Sequence, residues 1–343
     1  MSDIHIRQTG LAGRITLTRP QALNAMTYEM CLAIEDALDR WRDDAGIALV
    51  LIDAQGDRAF CSGGDIAELY ATGTRGDFAY GKKFWADEYR LNNKIFAYPK
   101  PVVSLLQGFT MGGGVGIGCH GSHRIVGESS QIAMPEVGIG LIPDVGGTLL
   151  LALAPGRLGE YLGTTAARMG PDDAIYAGFA DGYAPQEVWP ELISDLEASG
   201  DADRIAAYLT PSDTGPLRTQ QDEIDALFAG GSLGDIMRTI GHSDSEFATQ
   251  AAKMMGRNAP LSMACAVEIL HRLRGPSLTM EKALDFEYRF TARAAEHGDF
   301  LEGIRAAIID KDRTPKWQYP TGDVPPVAVS KMLMPLGKDA LKL

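Results

Sequence analysis

The stretch MPEVGIGLIPDVGG at residues 134–147 and two earlier glycine-rich loops decide what this chain can be. The earlier loops are CSGGD at 61–65 and MGGGVG at 111–116. Each of these two loops follows a predicted strand and precedes a predicted helix. Short strands that alternate with helices up to about residue 150 indicate an α/β fold.

The strands and helices of this part are predicted from apolar periodicity and from helix-start signals. Residues 27 onward form a helix with Thr27 as its N-cap, and a longer helix covers about 77–97. A short helix begins near Asp65, and an apolar segment after Gly114 forms another. The predicted strands are 13–18, 47–52, 101–106 and 123–126.

Beyond about residue 195 the strand-like runs end and amphipathic helical stretches dominate. These stretches lie at 220–228, 244–256, 261–273 and 279–296. The tail after Trp317 carries four prolines, which predicts irregular structure. We therefore expect two regions, an α/β region over 1–195 that holds the site and a helical region over 196–343 that completes the site and forms oligomer contacts.

Composition excludes several classes of protein. The chain has 343 residues, of which 45% are hydrophobic and 22% are charged, as in ordinary globular proteins. Its net charge of −13 disfavours binding to nucleic acid or to an anionic membrane, which needs clustered Lys and Arg. With no secretory signal and no run of about 18 apolar residues, we expect no membrane span.

The four cysteines are far apart and form no CxxC pair, so buried reduced thiols and a cytoplasmic location are expected. No HExxH or DxDxDG pattern indicates a metal ion. No serine lies in a GxSxG motif, which disfavours a serine-triad hydrolase.

The two glycine loops have two open interpretations. Glycine lets a ligand approach backbone N–H groups closely, and a helix N-terminus adds N–H donors that have no partner within the helix. Two such loops facing each other can donate two hydrogen bonds to one carbonyl oxygen and so form an oxyanion hole. Alternatively, the glycines serve only tight strand-to-helix turns. Neither loop matches a phosphate-binding GxxxxGK[ST] or a full GxGxxG pattern.

The third stretch carries two carboxylates, Glu136 and Asp144, each directly after a proline. Apolar surroundings raise the pKa of a carboxyl and prepare it for proton transfer, and two such groups in one pocket can divide acid and base roles. Alternatively, both are turn or N-cap residues. The residues alone leave this choice open.

Taken together, these stretches and RPQALNAM at 19–26 resemble the crotonase, or enoyl-CoA hydratase/isomerase, superfamily. FWADEYRLNN at 84–93 and HGDFLEGIRAAIIDKDRTPKW at 297–317 resemble its 3-hydroxyisobutyryl-CoA hydrolase branch. The resemblance implies a spiral of repeated ββα units with a helical C-terminal region. It also implies an acyl-CoA thioester as substrate.

The resemblance also assigns roles by position. Gly64 and Gly113 match the two residues whose N–H groups form the oxyanion hole of the family. A second set matches the stretch that contacts the CoA nucleotide, and it consists of Ser62, Asp65 and Ile66. A third set matches the catalytic and substrate-binding positions of the hydrolase branch, and it consists of Glu88, Gly113, Glu136 and Asp144.

One position departs from the hydratases, which carry two catalytic glutamates. Gly116 stands where the first glutamate is expected, and Glu136 fills the second position. The resemblance therefore implies hydrolysis of 3-hydroxyisobutyryl-CoA, or of a similar short 3-hydroxyacyl-CoA, to the free acid and CoA in valine catabolism. An enoyl-CoA hydratase or isomerase and a non-catalytic acyl-CoA-binding subunit are the alternatives.

No cofactor is expected, since CoA is part of the substrate and a thiolate leaves without help from a metal ion. The superfamily often forms trimers and hexamers, so a homo-oligomer is one expectation. The longer C-terminal region of this branch can change that assembly.

Overall fold

The computed structural model describes residues 3–276 and 278–343. The chain forms two compact units, and each unit is built from three separate segments. Unit 1 comprises Met1–Asp65, Arg90–Ala133 and Arg168–Arg218, and unit 2 comprises Ile66–Tyr89, Met134–Ala167 and Thr219–Leu343. The sequence predicts a division at residue 195, whereas residues 66–89 and 134–167 group with the C-terminal helices.

The strands of the described residues all lie in unit 1 and form two sheets. Their bounds are β1 Ile4–Thr9, β2 Ala12–Leu17, β3 Leu49–Ala54, β4 Ala59–Cys61, β5 Val102–Leu105, β6 Phe109–Met111, β7 His123–Val126, β8 Gln131–Ala133 and β9 Gly182–Tyr183. The larger sheet has the order β1-β2-β3-β5-β7-β9, and the smaller has the order β4-β6-β8. Among the pairs of these named strands in the described part of the chain, only β1–β2 is antiparallel.

From β3 to β8, successive strands alternate between the two sheets, which produces the spiral. The larger sheet takes β3, β5 and β7, the smaller sheet takes β4, β6 and β8, and helices follow each pair in the sequence. This repeated ββα order confirms the predicted fold class.

The helices occupy most of the remaining chain. Their bounds are α1 Tyr28–Trp41, α2 Ala67–Gly73, α3 Phe78–Phe96, α4 Gly113–Gly118, α5 Gly147–Leu153, α6 Leu158–Thr165, α7 Pro171–Tyr176, α8 Trp189–Ser199, α9 Pro216–Thr219, α10 Gln221–Phe228, α11 Leu233–Gly241, α12 Glu246–Met255, α13 Pro260–Leu273, α14 Met280–His297, α15 Phe300–Ile304 and α16 Pro326–Met332. Short 3-10 helices lie at Pro20–Ala22, Glu136–Ile139, Gln186–Val188, Ala202–Ala207 and Gly337–Asp339, and a π-helix lies at Arg305–Ile309.

Local sequence signals explain much of this order. Thr27 caps α1, because its side chain accepts a hydrogen bond from the N–H of Met30. The apolar runs of β3 and β5 are buried on both faces, as in parallel strands with covered faces. In unit 1 a core cluster joins residues of the larger sheet to α8, including Leu51, Val103 and Leu192.

Two elements differ from the sequence-based expectation. Strand β1 was not predicted, because it pairs only with β2 and its residues are half-buried or exposed, so its polar side chains mask the pattern. The tail after Trp317 was predicted to be irregular, yet α16 forms there. Pro326 is the first residue of α16, where a missing N–H costs no helical hydrogen bond.

All four cysteines are buried thiols, as predicted. Within residues 3–276 and 278–343, no helix is both long enough and apolar enough to cross a membrane.

Candidate active site

The two glycine loops of unit 1 lie side by side. Strands β4 and β6 are parallel neighbours, so their carboxyl ends, where the loops begin, lie at the same edge of the sheet. A Cβ on Gly63 would lie 3.4 Å from the carbonyl oxygen of Met111. A Cβ on Gly114 would overlap the carbonyl oxygen of Cys61. Only glycine at this second position permits so close an approach of the two backbones.

Backbone pairing orients the N–H group of Gly64. Gly64 forms a parallel bridge with Met26, in which the N–H of Met26 donates to Gly63 and the N–H of Asp65 donates to Met26, at 2.9 and 2.8 Å. In an extended segment successive N–H groups point to opposite sides, so the N–H of Gly64 points away from Met26.

The N–H group of Gly113 lies in the first turn of α4. Hydrogen bonding within this turn starts with the N–H groups of Val115 and Gly116, which both donate to the carbonyl oxygen of Gly112. The N–H of Gly113 has no acceptor inside the helix. The role of these two N–H groups as donors to a substrate carbonyl oxygen stays a prediction.

The three residues predicted to contact the CoA nucleotide are half-buried. The N–H of Ser62 donates to the carbonyl oxygen of Leu23 at 3.0 Å. The Asp65 carboxylate pairs with the Arg19 guanidinium at 3.0 Å. Ile66 stands at the N-cap of α2 in unit 2. Their role toward CoA stays a prediction.

Glu136 begins a 3-10 helix that neighbouring backbone holds in place. The N–H of Ala259 donates to the Val137 carbonyl at 2.8 Å. Gly140 has a φ of 77°, and a Cβ there would lie 2.5 Å from the Asp299 carbonyl. The Glu136 side chain is 5% exposed. Its buried Oε2 has no hydrogen-bond partner among the described residues, so the carboxyl can act on a ligand.

Asp144 lies in a tight turn whose next two residues, Val145 and Gly146, have φ values of 54° and 79°. The hydroxyl of Tyr89 donates to Oδ2 of Asp144 at 2.7 Å and lies 3.4 Å from Oγ1 of Thr291. Asp144 is buried, and burial raises its pKa to about 7. A carboxyl with such a pKa can give or take a proton near neutral pH.

Glu88 precedes Tyr89 on α3 and is also buried. Burial and the Asp144 charge raise the pKa of Glu88 well above its usual range. Burial and the Asp144 carboxylate also raise the pKa of Glu136, with smaller contributions from Glu287 and Glu88. The structure thus places the predicted carboxyls Glu88, Glu136 and Asp144 within electrostatic reach of one another in unit 2.

Glu287 on α14 is a fourth buried carboxyl, and the sequence analysis missed it. Its Oε2 accepts from the N–H of Gly146 at 2.8 Å, and its Oε1 accepts from the N–H of Thr148 at 3.0 Å. The Thr148 hydroxyl also donates to Oε1. Burial and the Asp144 charge raise the pKa of Glu287 to about 8. A glutamate on the apolar face of the predicted helix 279–296 was the signal that could have identified it.

These four carboxyls cannot all be ionised near neutral pH, because burial and mutual repulsion oppose the last charges. One member can therefore hold a proton while another is ionised, which acid–base chemistry requires. In the described part of the chain, no group of three or more His, Cys, Asp or Glu could hold a metal ion. The expectation that no cofactor is needed stays a prediction.

The chain belongs to the enoyl-CoA hydratase/isomerase family, whose sequence profile matches residues 12–333. It is 35% identical over 354 aligned positions to a protein of Danio rerio named "3-hydroxyisobutyryl-CoA hydrolase, mitochondrial", covering 100% of this chain and 92% of that protein. The word mitochondrial in that name does not support the predicted cytoplasmic location.

Two solved structures are also similar to the whole chain. An enoyl-CoA hydratase from Rhodobacter sphaeroides is 56% identical with a TM-score of 0.95, covering 100% of both chains. A carnitinyl-CoA dehydratase from Mycobacterium thermoresistibile is 36% identical with a TM-score of 0.93, covering 98% of this chain and 97% of that one. These likenesses agree with the predicted crotonase-like fold.

Proposed function

We propose that this protein hydrolyses 3-hydroxyisobutyryl-CoA, or a similar short 3-hydroxyacyl-CoA, to the free acid and CoA. The main support is the buried pair of carboxyls Glu136 and Asp144 in a chain that has Gly116 at the position of the other hydratase glutamate. Syn addition of water to a double bond normally uses two glutamates, whereas hydrolysis of a thioester needs one reacting carboxyl and a proton carrier. The name of the Danio rerio relative agrees with this choice.

In the proposed reaction, the thioester oxygen accepts hydrogen bonds from the N–H groups of Gly64 and Gly113. Negative charge develops on this oxygen as the carbonyl carbon is attacked, so these bonds strengthen in the transition state. A donor of this kind is typically worth about 3 kcal/mol of barrier.

Glu136 is the reacting carboxylate. It attacks the carbonyl carbon to form a mixed anhydride that water then opens, or it removes a proton from the water that attacks. On both routes the C–S bond breaks, water supplies the hydroxyl of the acid, and a proton reaches the CoA sulfur. Asp144, held by the Tyr89 hydroxyl, moves that proton, and Glu88 binds the 3-hydroxyl group of the substrate.

A second candidate is an enoyl-CoA hydratase or isomerase, and the description of the 56% identical Rhodobacter sphaeroides structure favours it. An isomerase needs only one base, so Glu136 alone can serve and Gly116 does not exclude this activity. The two candidates differ in their products. Hydrolysis releases a thiol, whereas hydration of crotonyl-CoA removes the absorbance of its conjugated double bond.

The test supplies purified protein with 3-hydroxyisobutyryl-CoA in a thiol-release assay and with crotonyl-CoA in an absorbance assay. We expect rapid thiol release from the first substrate and a much slower absorbance change with the second. The reverse pattern would establish the hydratase alternative. Binding of both substrates with turnover of neither would indicate a non-catalytic acyl-CoA-binding subunit.

Assembly into a homo-oligomer is part of the same proposal, because the superfamily often forms trimers and hexamers. Light scattering on the purified protein measures the mass of the particle against the 36.9 kDa of one chain.

A further inference from the structure

Helix α14 presents two polar side chains, one turn apart, toward the turn that carries Asp144. Glu287 is 0% exposed and accepts the three hydrogen bonds from Gly146 and Thr148 described above. Thr291, four residues later on the same face, lies 3.4 Å from the Tyr89 hydroxyl that donates to Asp144. Helix α14 therefore acts on Asp144 in two ways. Glu287 binds the backbone of the turn that follows Asp144, and Thr291 lies beside the Tyr89 hydroxyl that donates to the Asp144 side chain.

The helix that carries Glu287 is itself fixed. The Arg293 guanidinium donates to the carbonyl oxygens of Met332 and Met334 at 3.0 and 2.8 Å. The hydroxyl of Tyr288 donates to the Lys82 carbonyl at 3.2 Å. Residues buried along 18 residues of α14 add apolar packing. Glu287 therefore lies on a rigid helix. A residue that holds another group in position needs such support.

The turn after Asp144 contains buried N–H groups that need a hydrogen-bond acceptor. Two successive residues with positive φ direct the N–H groups of Gly146 and Thr148 into a buried region, where an unpaired N–H is costly. Glu287 satisfies both groups with its two oxygens. Loss of this carboxylate would let the turn relax and move the Asp144 carboxyl.

We propose that Glu287 is a positioning residue of the acyl-CoA site, which holds the Asp144–Thr148 turn through its two oxygens. The proposal rests on the thioester hydrolase function proposed above. Glu287 acts through Asp144 and does not itself react.

Glutamine has the shape of glutamate but cannot replace it here. A carboxamide has one oxygen and one NH2 group, whereas both Glu287 oxygens accept from N–H groups. In either orientation the NH2 group of the Glu287→Gln variant would face another donor. The substitution thus removes one of the two accepted N–H hydrogen bonds with little change in side-chain volume.

The experiment measures kcat and KM for thiol release from 3-hydroxyisobutyryl-CoA between pH 5 and 9, with amide hydrogen exchange at 144–148. We expect Glu287→Gln to lower kcat about 10- to 100-fold, as displacement of a reacting group does, with KM changed less than about threefold. We also expect its amides at 146 and 148 to exchange faster, because the two N–H groups lose a carboxylate as their common acceptor.

Two further variants separate the components of the role. Thr148→Val removes the hydroxyl donor but keeps both N–H bonds, so its kcat should stay closer to wild type than that of Glu287→Gln. Glu287→Asp keeps two acceptor oxygens on a shorter side chain that cannot reach both N–H groups, so its kcat should fall. This variant also provides the test if Glu287→Gln does not fold.

With an active unsubstituted protein, three results would overturn the role. Wild-type kcat in Glu287→Gln would do so, as would wild-type kcat in Glu287→Asp if the glutamine variant does not fold. A loss of activity that only follows the loss of folded protein, with kcat per folded molecule unchanged, would reduce Glu287 to a structural residue. Absence of thiol release by the unsubstituted protein would instead refute the hydrolase function, and the role with it.

Discussion

Relative to wild type, the Asp144→Asn variant should become more stable as the pH rises, although the substitution removes a group that takes part in the reaction. Burial raises the pKa of Asp144 from 3.8 to about 7. A carboxyl whose pKa is raised on folding contributes stability that is complete below its unfolded pKa and is lost as the pH rises through its folded pKa. Asparagine imitates the protonated carboxyl and still accepts from the Tyr89 hydroxyl, so the variant avoids this loss.

The size of the effect follows from the shift. About three pKa units correspond to about 4 kcal/mol in total, at about 1.4 kcal/mol per unit. Of this, about 2–3 kcal/mol is lost between pH 5 and pH 8, because ionisation of the unfolded chain is nearly complete by pH 5. For a chain of this size, 1 kcal/mol changes Tm by about 1–2 °C. The Tm of the variant relative to wild type should therefore rise by about 3–5 °C between the two pH values.

Thermal unfolding of both proteins at pH 5 and pH 8, without ligand and at one ionic strength, measures this difference. Asp244→Asn, at an exposed aspartate, is the matched control and should show no growth of the difference with pH. An equal pH dependence of Tm in wild type and Asp144→Asn would refute the raised pKa of Asp144. It would also remove Asp144 as a group that exchanges protons near neutral pH.

Two other substitutions test the partners of the site. Tyr89→Phe removes the hydrogen bond that favours ionised Asp144, so the pKa of Asp144 should rise and the pH profile of kcat should move upward, while an unmoved profile would contradict this role. Gly114→Ala places a Cβ against the Cys61 carbonyl oxygen and should lower both Tm and kcat, as measured by thermal unfolding and thiol release. Gly241→Ala, where a Cβ meets nothing within 4 Å, is its control and should leave both unchanged.

Local signals in the sequence were sufficient to predict several elements near the start of the chain. The Thr27 cap, the apolar run of β3 and the glycine loops after β4 and β6 all have local physical causes, and the structure contains each of them. Strands β6 and β8 have three residues each, which is too short for periodicity to be recognised. The prolines of the tail obscured α16, because proline is compatible with the first turn of a helix.

Several residues of the candidate site could be predicted from the sequence, but the hydrogen bonds that connect them could not. Glu136 and Asp144 stand in a recognisable stretch, and their burial agrees with the expected raised pKa values. The hydrogen bonds that Glu287 accepts from the N–H groups of Gly146 and Thr148 join positions about 140 residues apart in the chain. No local pattern contains such a contact, so the sequence did not connect Glu287 with the turn that carries Asp144.

The measurement that tests the central claim most directly is thiol release from 3-hydroxyisobutyryl-CoA by Glu136→Gln beside wild type. Binding of the substrate to the variant, measured by calorimetry, shows that its site is intact. If Glu136 is the reacting carboxylate, the variant binds substrate with near wild-type affinity and its kcat falls by about 1,000-fold or more. Hydrolysis at a rate near wild type would contradict the account, because another group would then attack the thioester or activate water.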